Sequence, residues 1–119
     1  MAKSIIYEKS FVFAIKIVET YKFLTSNKKE FVLSKQLLKS GTSIGANVSE
    51  AINGQSDKDF IAKLSISLKE THESLYWLNL LYATDFLTKE QTDDLIADCN
   101  EIAKILSSII LTMKQKIKS

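Results

Sequence analysis

Apolar residues recur along this chain at steps of three and four, the spacing that gathers side chains on one face of an α-helix. Four such segments are predicted, over about residues 4–24, 31–52, 57–84 and 89–115. In the first, Phe13, Ile17 and Leu24 share a side, with Phe11, Ala14, Val18 and Tyr21 alongside, so the stripe is wide. The third carries Phe60, Leu64, Leu68, Thr71, Leu75, Leu78 and Tyr82. The fourth repeats Leu95, Cys99, Ile102, Leu106, Ile109 and Met113 in alternating steps, like a coiled-coil seam. The breaks are short. A polar connector spans residues 25–30, and Asn53-Gly54 stops the second helix before Ser56, with Asp59 three residues on, opens the next as an imperfect capping box. Thr88 with Gln91 repeats that signal before the fourth. Short connections force neighbours antiparallel, so the expected fold is all-α: an up-down-up-down four-helix bundle, one domain over residues 1–119. The tail from Lys114 onward is expected to fray.

The second helix has more than one working face. Leu33, Leu37, Gly41, Ile44, Val48 and Ala51 form its core seam, and Gln36, Lys39, Ser43, Asn47 and Glu50 form a polar row roughly 120° away. Leu38, Thr42, Gly45, Ala46 and Ser49 occupy the remaining side. Glycine inside a helix costs about 0.5–1 kcal/mol relative to alanine. Gly41 and Gly45 therefore imply a close approach of another backbone, from within the bundle, from another subunit, or both. On the third helix Asp59, Lys63, Ile66, Glu70, Glu73 and Trp77 fall on one side. An antiparallel turn at 53–56 brings Glu50 towards Asp59 and Lys63, Asn47 towards Lys63, Lys39 towards Glu70, and Gln36 towards Glu73. Lys63–Glu50 and Lys39–Glu70 are the expected cross-helix pairs. The row can face the third helix, solvent or another subunit.

Composition sharpens this picture. The chain has 119 residues, no Pro and three Gly, which favours long helices because both residues interrupt them. Net charge is +2 and all 16 basic residues are Lys; the absence of Arg disfavours base-specific reading of nucleic acid. The lone Cys99 fits a reducing compartment, and neither a signal peptide nor a membrane span is recognisable, so a cytoplasmic location is expected.

The candidate chemistry is sparse. A di-metal bundle needs two Glu-x-x-His motifs, and His72 is the only histidine, so no metal or cofactor is expected. Cys99 sits at a seam position and reads as core packing. Gly41 and Gly45 lack the Gly-Lys-Ser/Thr ending of a phosphate loop. No catalytic residue is nominated and an enzyme is not expected. The topology gathers Lys3, Lys58, Lys114, Lys116 and Lys118 at one pole, with Asp57 and Asp59, and Lys22, Lys28, Lys29 and Lys35 at the other. These lysines are the candidate nucleic-acid contacts.

Several separated stretches carry a family resemblance: residues 34–51 (SKQLLKSGTSIGANVSEA), 55–66 (QSDKDFIAKLSI), 69–73 (KETHE) and 76–78 (YWL). Together they resemble the bacterial four helix bundle protein family, also named for reading frames in intervening sequences of 23S ribosomal RNA genes. The family pattern usually has Arg at the position of Lys39, so the bidentate phosphate recognition an Arg offers is missing there. The resemblance implies an antiparallel bundle of a kind that often assembles as a ring-like homopentamer. It also implies kinship with reverse-transcriptase accessory proteins associated with nucleic acid. Two functional expectations follow: an oligomer holding RNA or DNA on repeated lysine patches, or a protein assembly and adaptor module without a nucleic-acid role. A small-molecule-binding bundle, a third option, requires a roomy pocket between the second and third helices.

Overall fold

Three of the helices start where a side chain takes over the amide groups that a first helical turn leaves unpaired. The computed structural model describes residues 2–118, with side chains from Ile5 onward. α1 spans Ala2–Ser26, α2 Leu33–Ile52, α3 Asp57–Ala83 and α4 Lys89–Lys118. Ser56 Oγ accepts the Asp59 amide at 3.1 Å to open α3. Thr88 and Gln91 exchange hydrogen bonds at 2.9 and 3.2 Å to open α4. α2 has no Ser, Thr, Asn or Asp cap. Its first turn is held by Glu30, whose carboxylate accepts the amides of Val32, Leu33 and Ser34 at 3.1, 3.0 and 2.6 Å. That arrangement moves the start of α2 from the expected Phe31 to Leu33.

α1 and α3 end in sharp turns without glycine. Lys29 (φ 54°) lets the Glu30 amide reach Leu24 O at 3.0 Å and close α1. Asp85 (φ 67°) does the same for α3, with Phe86 and Leu87 both donating to Leu81 O. α4 stays helical through Lys118 rather than fraying from Lys114, so that expectation is corrected.

Successive helices pack side by side, and α4 returns against α1, making the four-helix bundle anticipated. The molecule measures 51 × 22 × 21 Å, as helices of this length at 1.5 Å per residue require. Phe13, Ile17, Leu24, Leu37, Ile44, Leu64, Leu78 and Leu106 fill the axis, all fully buried. Each such side chain contributes roughly 1.5–3 kcal/mol. Three seam assignments need correction. Phe11 and Val18 point outward while Ile6 and Ser10 take the inner face, Leu81 replaces Tyr82 at the end of α3, and Ile110 is more deeply buried than Ile109. A true 3.6-residue repeat drifts from a strict four-and-three pattern over six turns, which displaces the α3 and α4 seams near their C-terminal ends. Mid-α1 simply carries more apolar residues than the core takes.

The four seams differ in chemistry. α2 and α3 meet through small hydroxyl residues: Ser67 donates to Ile44 O at 2.8 Å and Ser74 to Ser40 Oγ at 2.9 Å. Short side chains let the two axes approach closely. The α1–α4 seam is the sparsest and is bridged from outside by ion pairs: Lys9–Glu101 at 3.1 Å, and Lys16 with Asp98 and Asp94 at 2.9 and 3.2 Å. The hydrogen bond to Asp98 leads the influences that raise the Lys16 pKa, against the opposing effect of burial.

Candidate functional site

The polar rows on α2 and α3 face each other along one edge of the bundle. Lys63 Nζ meets Glu50 Oε1 at 3.1 Å. The second expected pair does not close; among the described residues no ion pair joins Lys39 to Glu70. The hydroxyl contacts explain why. Ser40 lies opposite Ser74 and Ile44 opposite Ser67, so the register runs about one helical turn beyond the expected one. Lys39 then falls level with Glu73 and Gln36 level with Trp77. Burial raises the Glu70 pKa and the Glu73 charge adds to it, while Lys69 and Lys39 act in the opposite sense.

Two members of the α2 row bond locally. Ser43 Oγ donates to Lys39 O at 2.6 Å and Asn47 Nδ2 to Ser43 O at 2.8 Å, each bonding back to its own helix. Gln36, Asp59 and Glu73 are half-buried. Trp77 lies half-buried with its edge against exposed Tyr76, ring centres 5.0 Å apart, and its indole Nε1 is buried with no hydrogen-bond partner. Gly41 and Gly45 are turned towards α1. A Cβ on Gly41 would sit 2.8 Å from Ile17 Cγ1, whereas one on Gly45 would rest 3.4 Å from Ser10 O. At Gly41 the close approach lies within the bundle; at Gly45 the contact is ordinary.

The lysines divide as the topology implies. At the pole of the α2–α3 turn, Lys116 pairs with Asp57 at 3.7 Å, and Lys58, Lys114 and Lys118 are exposed; the side chain of Lys3 lies outside the described residues. At the opposite pole Lys22, Lys28, Lys29 and Lys35 are exposed, and none is in an ion pair among the described residues.

Two surfaces went unnoticed in the sequence. Tyr7, Phe11, Val12, Ile15 and Val18 are all exposed on α1, a helix apolar on nearly every side. Tyr7 and Phe11 stack there, 6.1 Å apart, beside a shallow groove whose α2 wall is Thr42, Gly45, Ala46 and Ser49. The excess width of the α1 stripe was the available signal. The second surface is the tip formed by Phe31 and Val32, exposed by 59% and 70%.

Among the described residues no group of three or more His, Cys, Asp and Glu could hold a metal ion, and no helix is long and apolar enough to cross a membrane. Burial, aided by the Asp98 charge, pushes the Cys99 thiol up to about 12, so it carries no thiolate at neutral pH.

An antiparallel bundle with hydroxyl-lined and ion-paired seams, its polar side chains bonded largely to their own backbone, defines a helical-bundle protein whose distinctive surfaces are apolar and basic. The chain belongs to the 23S rRNA-intervening sequence protein family, whose sequence pattern matches residues 2–108. A crystal structure from Bacteroides thetaiotaomicron, described as a protein of unknown function from the S23 ribosomal protein family, is similar to it at 53% identity with a TM-score of 0.91. The match covers 92% of this chain and 98% of that one. No curated protein matches the chain.

Proposed function

We propose that this protein is a non-catalytic subunit of a homo-oligomer, assembled through the outer face of α1, which presents its polar lysines to nucleic acid. The observation that carries the reading is the run Tyr7, Phe11, Val12, Ile15 and Val18, all exposed on one helix of a small chain. Contiguous apolar surface of that kind marks an interaction site in a soluble protein. The adjoining groove has an α2 wall of small residues, Thr42, Gly45, Ala46 and Ser49, with no bulky side chain on that wall to hold a second helix away. Five copies, as the family resemblance suggests, would turn two modest lysine clusters into basic rings able to hold a polyanion without reading sequence.

Light scattering at micromolar subunit concentration tests the assembly, and a monomer there would refute it. Phe11→Glu with Val18→Glu should dissociate the oligomer while leaving helicity intact. A gel shift against structured RNA and duplex DNA tests the second half. Binding at low salt, weakening steeply as salt rises, is expected. An oligomer that retards neither polymer would instead be the protein-binding adaptor, for which the same α1 face is the supporting observation.

A further inference from the structure

We infer that the pole carrying Phe31 binds single-stranded nucleic acid, with Phe31 stacking on one unpaired base and Lys22, Lys28, Lys29 and Lys35 holding the flanking phosphates. The inference rests on the nucleic-acid reading above and narrows it to one end of the bundle and one form of polymer.

The tip is exposed yet rigidly held. Phe31 is 59% exposed in a connector only six residues long between α1 and α2. Its predecessor Glu30 is buried and accepts the amides of Val32, Leu33 and Ser34. Lys29 is locked in the left-handed region by the Glu30 amide, which reaches back to Leu24 O at 3.0 Å. An aromatic ring held in water on a fixed base loses little freedom when it stacks, and stacking on aromatic side chains is a general means of binding single strands. A duplex offers no unpaired face to such a ring.

Charge points the same way. Lys28 and Lys29 precede Phe31, Lys35 lies in the first turn of α2, and Lys22 lies about one turn before the end of α1. The only acidic group among these residues, Glu30, is buried and already bonded to the helix start. It also occupies the amides that a helix N-terminus would otherwise offer a phosphate. Phosphates must therefore be held by lysine side chains, which is sequence-independent and sensitive to salt. Of the acidic residues towards that end, Asp85, Glu90 and Asp93 belong to the α3–α4 side, with Asp93 held by Lys89, and Glu19 lies on α1 a turn further from the tip than Lys22, so a strand is steered over the α1–α2 connector. The opposite pole has Asp57 and Asp59 among its lysines, with Asp57 paired to Lys116.

The test is fluorescence anisotropy of the full chain with labelled single strands of about 12 nucleotides and hairpin duplexes of equal charge, at about 50 and 200 mM salt. Single strands should bind more tightly than duplex. Phe31→Ala should weaken single-strand binding about tenfold, while Phe31→Trp retains it. Lys28→Gln with Lys29→Gln should flatten the logarithmic salt dependence by roughly 1.4. Lys104→Gln, in the exposed middle of α4, should change neither, and Lys114→Gln with Lys118→Gln should leave the preference for single strands over duplex intact. Equal affinity for both polymers, a silent Phe31→Ala, or loss of that preference through Lys114 and Lys118 would overturn this inference and leave nucleic-acid binding standing. No binding of any oligonucleotide at low salt would remove both. Capture by phosphatidylserine vesicles in place of oligonucleotides, or an altered oligomer mass in Phe31→Ala, would assign the tip to a membrane or to assembly and equally overturn it.

Discussion

Glu30→Ala should be among the most damaging substitutions at a polar position in this chain. The carboxylate takes three of the four amides left unpaired at the start of α2. Ordinary cap removals cost about 0.5–2 kcal/mol. Here Ser34 is fully buried, so its amide, 2.6 Å from Glu30 Oε1, cannot turn to water once the carboxylate is gone. An unsatisfied buried amide adds about 1–3 kcal/mol. The terms overlap, and about 2–3 kcal/mol is the expected loss. Glu30→Gln keeps an acceptor oxygen without the charge and should lose about 1 kcal/mol. The pH dependence separates the two effects. Burial raises the Glu30 pKa, but the bonds from Leu33, Ser34 and Val32 outweigh it and hold the carboxyl below its ordinary 4.5. The folded state therefore binds this proton less readily than the unfolded chain. Its contribution is complete above the ordinary value and is lost as pH falls through the depressed one. Urea unfolding followed by circular dichroism, at fixed subunit concentration from pH 7 down to about 3, reads both. A Glu30→Ala protein within about 0.5 kcal/mol of wild type at pH 7 would refute the capping account. So would a Glu30→Gln protein retaining the full acid-side slope.

The two glycines of α2 should respond in opposite directions. Gly41→Ala drives a Cβ to 2.8 and 2.9 Å from the γ carbons of Ile17, a buried β-branched side chain with little room to turn, and should lose about 1–3 kcal/mol. Gly45→Ala meets only ordinary contacts and should gain about 0.5–1 kcal/mol in the dissociated chain, with any loss of oligomer mass locating the interface in that groove. Glu70→Gln should be more stable than wild type at pH 7. The raised carboxyl pKa of the folded state makes stability fall as pH rises through it, so the gap should close as the solution is acidified. Cys99 should react with a thiol reagent at pH 8 only as fast as the protein unfolds, because burial lifts its thiol to about 12; rapid labelling of folded protein would contradict its core position.

How far the chain could be read before folding differs from element to element. The caps at Ser56 and Thr88 are local, made between residues three apart: the Ser56 Oγ bond to the Asp59 amide forms, and the Thr88–Gln91 box closes in both directions. Glu30 escaped notice because it lies outside the helix it caps and matches no capping pattern; only the left-handed turn at Lys29 aims its carboxylate at α2. Lys63 already lies one turn beyond the position level with Glu50 in the counted register, so the observed shift brings that pair together. Lys39 and Glu70 lie further along, and there Ser40–Ser74 and Ser67–Ile44 fix an alignment about one turn away from the one counted along the chain.

The sequence alone determined four helices, their order, their antiparallel course and most of the axis, because hydrophobic period, capping and connector length are local properties that burial then reinforces. Only tertiary structure decided which apolar residues remained outside. Phe11 and Phe13 are equally apolar and two positions apart, yet one faces water and the other the core. α1 carries more apolar surface than its two neighbours in the bundle can cover. The surplus at Tyr7, Phe11, Ile15 and Val18, and the ring at Phe31, became surfaces only once the partners of every other apolar side chain had been fixed.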